Sequence, residues 1–333
     1  MQEKPPRGAN SEDSRGEPRT KVRKVVIDAD RVGQRIDNYL RSELPGVPKG
    51  RLYRILRRGE VRVNGGRVRA EYKLQEGDEV RIPPTRVREE GAPPSEKMAT
   101  DILEHVIFED KRLLVLNKPS GIAVHGGSGI SHGVIELLRH ARPDLKDLSL
   151  VHRIDRETSG CLVMAKRRSA LRDLHEKFRE GQVEKNYLAL VVGNWQLGEQ
   201  LIDAPLYVQN RRSGERHVVV NGKLGKSAQT RVSLSRTYGK YSLLLCAPLT
   251  GRTHQIRVHL DHLEFPILGD ERYGDDDANK KARKAGLKRL FLHAQSIAFV
   301  DDSGNDLHFT APLADDLESF LATGIGNSRR TGL

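Results

Sequence analysis

Residues His152 to Gly160 read HRIDRETSG. Leu148, Leu150 and Val151 precede them, and Cys161, Leu162, Val163, Met164 and Ala165 follow. A charged knot is thus held between two segments that favour burial. Within it Asp155 stands between Arg153 and Arg156, just after His152. Burying such charges costs several kcal/mol unless they pair with one another or with a ligand. Nearby guanidinium groups favour an ionised carboxylate, so Asp155 is expected to stay charged. In an extended segment Arg153 and Asp155 point to one face. An ionised carboxylate beside a mobile cation can act as a nucleophile. It can equally form a structural Arg–Asp pair that closes a turn, the commoner outcome for an isolated R-x-D.

Other residues invite chemistry less strongly. NKPSG at Asn117–Gly121 leads to His125-Gly126-Gly127, but no G-x-x-x-x-G-K-[ST] is present, which excludes a P-loop nucleotide site. Lys118 is a candidate for function or for organising its loop. His254, His259 and His262 suggest zinc, yet H-E-x-x-H and P-C-x-x-C are both missing. Ser159 has no G-x-S-x-G around it, so hydrolase chemistry is disfavoured.

These residues need elements to hold them. Val106–Phe108 and Leu113–Leu116 read as two strands joined at Asp110-Lys111. A helix is expected from about Gly133 to His140, and another through Leu171, Leu174 and Phe178. Glu184–Val192 reads as a strand carrying Tyr187. Strands are also expected at about Ala228–Ser235, Tyr241–Ala247, Leu290–Val300 and Leu307–Pro312. In TGRTHQIRVHLDHL, Ile256, Leu260 and Leu263 supply a helical apolar face, with Thr250 or Thr253 as cap. Short strands alternating with few helices indicate α+β, not a doubly wound nucleotide fold.

Ahead of this region lies a small basic module at residues 31–88, with 15 Lys/Arg against 7 Asp/Glu. Ile36, Tyr39, Leu40 and Leu44 mark one helix. Leu52, Ile55 and Leu56 mark a second, from about Lys49 to Arg58. Arg51, Arg54, Arg57 and Arg58 lie on or beside its outer face, and Gly59 stops it. Asn64-Gly65 signals a tight turn between short strands. Arginines at helical spacing can straddle a phosphate backbone. Residues 1–30 are expected to be a disordered tail, 89–100 a linker rich in proline and charge, 101–325 the main domain and 326–333 a frayed tail.

The chain has 333 residues and a formal net charge of +12, which points to a polyanionic partner, nucleic acid first. Its two cysteines, Cys161 and Cys246, sit in apolar runs and read as reduced core residues. No apolar run approaches the ~20 residues of a membrane span. No secretory h-region is visible, so a cytoplasmic protein without membrane contact is expected.

HRIDRETSG resembles the catalytic motif of the RluA/RluC-type pseudouridine synthases, usually written HRLDRxTSG. The likeness continues through NKPSGIAVHGGSG, KRRSALRDLHE, YLALV, SGER and TGRTHQIRVH, and is strongest to the RluC branch. The basic module resembles the S-four RNA-binding domain, departing at Lys49, near where that domain often begins its helix with a small hydroxyl residue. The resemblance implies a small α/β RNA-binding module followed by a catalytic domain built on a long, mainly antiparallel mixed sheet with flanking helices and loops. It implies uridine-to-pseudouridine isomerisation in large-subunit (23S) ribosomal RNA or its assembly intermediate, a reaction that needs no cofactor. A monomer without metal is expected. Asp155 would be the catalytic carboxylate and Arg257 its partner. Tyr187 would stack on the uracil, and Arg153 would enter the RNA helix where the uridine left. A synthase for transfer RNA or another ribosomal RNA site, or a non-catalytic ribosome-assembly factor that binds RNA, are the alternatives.

Overall fold

The computed structural model describes residues 21–44, 46–85, 93–126, 132–210 and 216–324. A division after Pro93 separates two compact units.

The first unit contains β1 (Arg23–Val26), α1 (Ile36–Glu43), α2 (Lys49–Arg57), β2 (Arg62–Val63), β3 (Gly66–Arg67) and β4 (Glu79–Ile82). Its strands form an antiparallel sheet in the order β1-β4-β2-β3. Ile36, Tyr39, Leu40 and Leu44 share one core with Leu52, Ile55 and Leu56, as their helical spacing requires. Asn64 and Gly65 both take positive φ, 49° and 78°, in the turn between β2 and β3. Residues 1–20 of the expected tail lie outside the described residues. Residues 21–30 do not fit that expectation: β1 pairs along β4, and Ile27 is buried in the core. Burial of Ile27 and the ladder of β1 hold this short run despite its charged surroundings.

The second unit opens with α3 (Glu96–Leu103), inside the stretch expected as linker. The Ser95 hydroxyl accepts the Met98 N–H at 3.3 Å, and Ala99 and Ile102 are buried, so the helix is capped and amphipathic. Residues 86–92 of the expected module and linker lie outside the described residues, as do 326–333.

Next come β5 (Val106–Glu109), β6 (Leu113–Lys118), α4 (Val134–Ala141), β7 (Ser149–Leu150), β8 (Ser159–Ala165) and α5 (Arg168–Glu180). Then follow β9 (Glu184–Val192), β10 (Gln200–Asp203), β11 (Leu206–Asn210), β12 (Arg216–Val220), β13 (Gln229–Tyr238) and β14 (Tyr241–Pro248). The chain continues through α6 (Gln255–His262), α7 (Asp276–Lys284), β15 (Leu292–Val300), β16 (Asp306–Thr310) and α8 (Asp315–Ser319). A long sheet runs β10-β13-β14-β9-β15-β8-β6-β5, with β16 also on β15 and β7 also on β8. Its pairs are antiparallel except β8 with β15. The fold is therefore α+β, with the mainly antiparallel mixed sheet that the resemblance implies.

β8 explains why the central motif is placed so firmly. Every residue of SGCLVMA is buried. Leu162 and Met164 pack with α4, while Cys161, Val163 and Ala165 pack with α5. A strand covered on both faces reads as a continuous apolar run. Gly160, the second residue of β8, has φ +110°, and a Cβ there would stand 2.2 Å from the Ala294 carbonyl oxygen on β15. Gly160→Ala should therefore lower unfolding free energy by about 3 kcal/mol in urea titrations. An unchanged midpoint would contradict this account of the β8–β15 contact.

Candidate active site

Two loops meet where β6 ends and β8 begins. Lys118, the last residue of β6, is fully buried. Its Nζ donates to the carbonyls of Pro119 (2.7 Å), Ile122 (2.8 Å) and Arg156 (3.0 Å). Gly121 N–H donates to Arg156 O, and the Ser120 hydroxyl donates to Glu157 O. NKPSG and HRIDRETSG are thus stitched together, and Lys118 organises its loop. Burial pulls its pKa below the usual lysine range, with the Arg289 charge acting the same way.

The knot itself divides. His152 Nε2 accepts the Val163 N–H at 3.0 Å, and its ring stacks on Phe178 of α5 at 5.1 Å. Burial pushes its pKa down to about 3, so the ring is a neutral scaffold piece. Arg156 donates through Nε to Gly121 O and lies 3.2 Å from Glu157. Arg153 is exposed and forms no ion pair among the described residues. Neither neighbouring arginine therefore pairs with Asp155, contrary to the sequence expectation. The turn aims them away, and the cation comes from a distant helix.

That cation is Arg257 on α6. Its Nη1 donates to Asp155 Oδ2 at 3.3 Å. Its Nε and Nη2 donate to the two carboxylate oxygens of Asp270 at 2.7 and 2.8 Å. The Asp270 side chain is 1% exposed and that of Arg257 9%, against 21% for Asp155. Burial alone would raise the Asp270 pKa, but the Arg257 hydrogen bonds outweigh it and the carboxyl titrates below its ordinary range. The backbone N–H groups of Arg272 and Tyr273 also donate to Asp270, and the guanidinium lies 5.1 Å from the centre of the Tyr273 ring. Arg257 is thus locked on one side and offers one nitrogen to Asp155.

Sequence reasoning missed Asp270 and Tyr273. Only the run Gly269–Gly274, two acids, an arginine and an aromatic residue between two glycines, hinted at an organised turn.

α6 is placed by Gln255. Its Oε1 accepts from the Thr250 hydroxyl (2.7 Å) and the Arg252 N–H (3.0 Å), and its Nε2 donates to Gln229 O and Thr230 Oγ1 of β13. The expected threonine cap is absent. His254 holds the capping position with φ 54° and makes no side-chain cap, because Gln255 engages the Thr250 hydroxyl. The zinc pattern also resolves into separate contacts. His254 Nδ1 meets the Tyr273 hydroxyl, and His259 meets Thr230 Oγ1 and Ala204 O.

Asp155, Arg257 and Tyr187 come together in a cavity of about 480 Å³, with Arg153, Phe178 and His254 also in its wall. Tyr187 projects from β9, and burial raises its phenol pKa, with the Asp155 charge adding to this. Asp155 is the single carboxylate among the described residues that line this space, against Arg153, Arg179, Lys185, Arg252 and Arg257. A second cavity of about 960 Å³ shares Arg153, Asp155, His254 and Arg257. The setting offers one clamped carboxylate, a flat ring and an excess of positive charge. It can act on an electrophilic carbon of a planar, polyanionic substrate. In the first unit, Arg54, Arg57 and Arg58 are exposed at the end of α2, and Arg51 is half-buried.

A family profile described as RNA pseudouridylate synthase matches residues 112–262, and one described as S4 domain matches residues 34–80. The chain is 53% identical over 304 residues to the ribosomal large subunit pseudouridine synthase C of Pasteurella multocida, covering 90% of this chain and 93% of that one. It is 50% identical over 306 residues to the protein of that name from Escherichia coli strain K12, covering 90% and 96%. Among solved structures it is similar to human RNA pseudouridylate synthase domain containing 4, with TM-score 0.57, 26% identity, and 68% and 95% coverage.

Asp270→Asn would leave Arg257 with a neutral partner. It should cost about 3–5 kcal/mol of unfolding free energy at neutral pH. A depressed native pKa means stability that is present above the unfolded pKa and lost as pH falls through the native one. The gap between wild type and Asp270→Asn should therefore narrow as pH falls below about 4. Urea unfolding at pH 7 and pH 3 checks this, and a gap independent of pH would contradict it.

Proposed function

Because the chain belongs to the RluA-type RNA pseudouridylate synthases, we propose that it isomerises uridine to pseudouridine in large-subunit (23S) ribosomal RNA. The observation that carries the reading is the lone cavity carboxylate of Asp155, held by Arg257 beside the Tyr187 ring. The substrate is taken from the printed names of relatives about half identical along nearly their whole length.

The reaction breaks the bond from ribose C1′ to uracil N1, turns the base, and joins C1′ to C5. C5 loses a proton and N1 gains one, so nothing is oxidised and nothing consumed. The target lies inside folded RNA and must leave its stack to be reached. Asp155 then acts at C1′, as nucleophile or as counter-charge to the positive sugar, much as carboxylates do in glycoside cleavage. Arg257 orients that carboxylate without neutralising it, because Asp270 absorbs two of its nitrogens. Tyr187 stacks on the uracil. Arg153, exposed at the cavity rim, fills the place vacated by the flipped uridine.

The S4 domain supplies affinity for RNA. Arg51, Arg54, Arg57 and Arg58 on and just after α2 are assigned to phosphate contacts, which offset the few kcal/mol of unstacking. Among the described residues no helix is long and apolar enough to cross a membrane. Acting on ribosomal RNA, the protein would work in the cytoplasm.

Tritium release from a 23S RNA transcript labelled at uridine C5 tests the reading. Wild type should release tritium, and Asp155→Asn should fall to background with RNA affinity within a few-fold. Release by Asp155→Asn at the wild-type rate would refute the assignment. Changing Arg51, Arg54, Arg57 and Arg58 together to Gln should reduce the slope of log affinity against log salt by about 3.6, at about 0.9 per phosphate. An unchanged slope would remove α2 from the RNA interface.

A further inference from the structure

We propose that His254 contacts the target nucleotide, its Nε2–H donating a hydrogen bond to a carbonyl oxygen of the uracil while the base is detached from the ribose. The proposal rests on the synthase reading above.

The backbone gives the first reason. His254 has φ 54°, one of three non-glycine residues with positive φ among the described residues. Such a conformation is sparsely populated, and it persists where the surroundings over-determine it. Here it lies immediately before α6, three residues ahead of Arg257.

Hydrogen-bond accounting gives the second. The Tyr273 oxygen accepts the Val218 N–H at 3.1 Å. Its one proton is left for His254 Nδ1, 2.9 Å away. Nδ1 is then an acceptor, and the proton of the neutral imidazole sits on Nε2. Burial favours this neutral ring and lowers its pKa to about 4, although the charge of Asp155 opposes the shift. Tyr273 is itself fixed, by His217 stacked at 5.3 Å and by the Arg257 guanidinium. The donor is therefore preorganised.

Position gives the third. Nε2 has no hydrogen-bond partner among the described residues, and His254 lines both cavities that include Asp155. A half-buried donor left open beside the reacting carboxylate is a place for an acceptor on the ligand.

The chemistry needs such a donor. When C1′–N1 breaks, the electron pair leaves with the uracil and spreads over N1 and the carbonyl oxygens. An N–H aimed at one of those oxygens is worth more to the detached base than to the bound uridine. No proton leaves His254 in this step. The contact also favours a base with a carbonyl acceptor at that edge, so His254 would help select uridine.

Two variants separate donor from scaffold. Asn tolerates left-handed φ, and its Oδ1 can accept the Tyr273 proton as Nδ1 does, but it puts no donor where Nε2 stands. Gln carries an amide N–H out to that position. Single-turnover tritium release from the C5-labelled 23S transcript, with RNA affinity measured on the same preparations, gives the readout. His254→Asn should bind RNA like wild type and release tritium roughly 100-fold more slowly. His254→Gln should recover about tenfold of that loss. A wild-type rate in His254→Asn overturns the proposal, and so does an equal loss in both variants. Wild-type protein that releases no tritium would sink the synthase reading, and this inference with it.

Discussion

The Arg257 guanidinium gives two nitrogens to Asp270 and a third to Asp155. The shorter bonds go to the fully buried carboxylate and the longer one to the carboxylate at the cavity. This asymmetry is what the rest of the second unit serves. A carboxylate tied down by a bidentate arginine would have its lone pairs occupied and its charge compensated. One that met no cation would cost too much to hold in a half-buried wall. Sharing one guanidinium with Asp270 leaves Asp155 oriented through a single hydrogen bond, with its other oxygen unclamped by Arg257.

Four separate stretches must coincide for that to happen. β8, covered on both faces, fixes where the HRIDRETSG turn ends. Lys118 ties the turn to the loop after β6 through backbone carbonyls. Gln255 fixes α6 against β13, and the Gly269–Gly274 turn brings Asp270 beneath Arg257. Histidines do much of this work as neutral rings: His152 accepts a backbone N–H, and His259 bridges β13 to Ala204. A charged His152 would lose the acceptor that holds the Val163 N–H, and burial lowers the pKa of both rings.

Much of this was legible in the sequence, for reasons that differ by residue. β8 and the helices of the basic module were readable because burial imposes a period or an unbroken apolar run. The HRIDRETSG turn was readable because its residues are contiguous. Arg257 was reached only through family resemblance, since 102 residues separate it from Asp155 and no local spacing links them. Asp270 and Tyr273 escaped notice because their partners come from α6 and β12, and a lone acid in a turn looks like any solvated one. The roles of Lys118 and His152 depend on backbone acceptors and donors, which carry no residue identity. The strand at Arg23–Val26 and the early start of α3 were hidden by charged and proline-rich neighbours that outweighed short apolar patterns.

The central claim is that the clamped carboxylate of Asp155 makes pseudouridine in large-subunit ribosomal RNA. The most direct measurement maps pseudouridines along that RNA in cells lacking this protein, then in the same cells given wild type or Asp155→Asn. The account predicts that specific sites vanish, return with wild type and stay absent with Asp155→Asn. Sites that persist without the protein, or that return with Asp155→Asn, would contradict it.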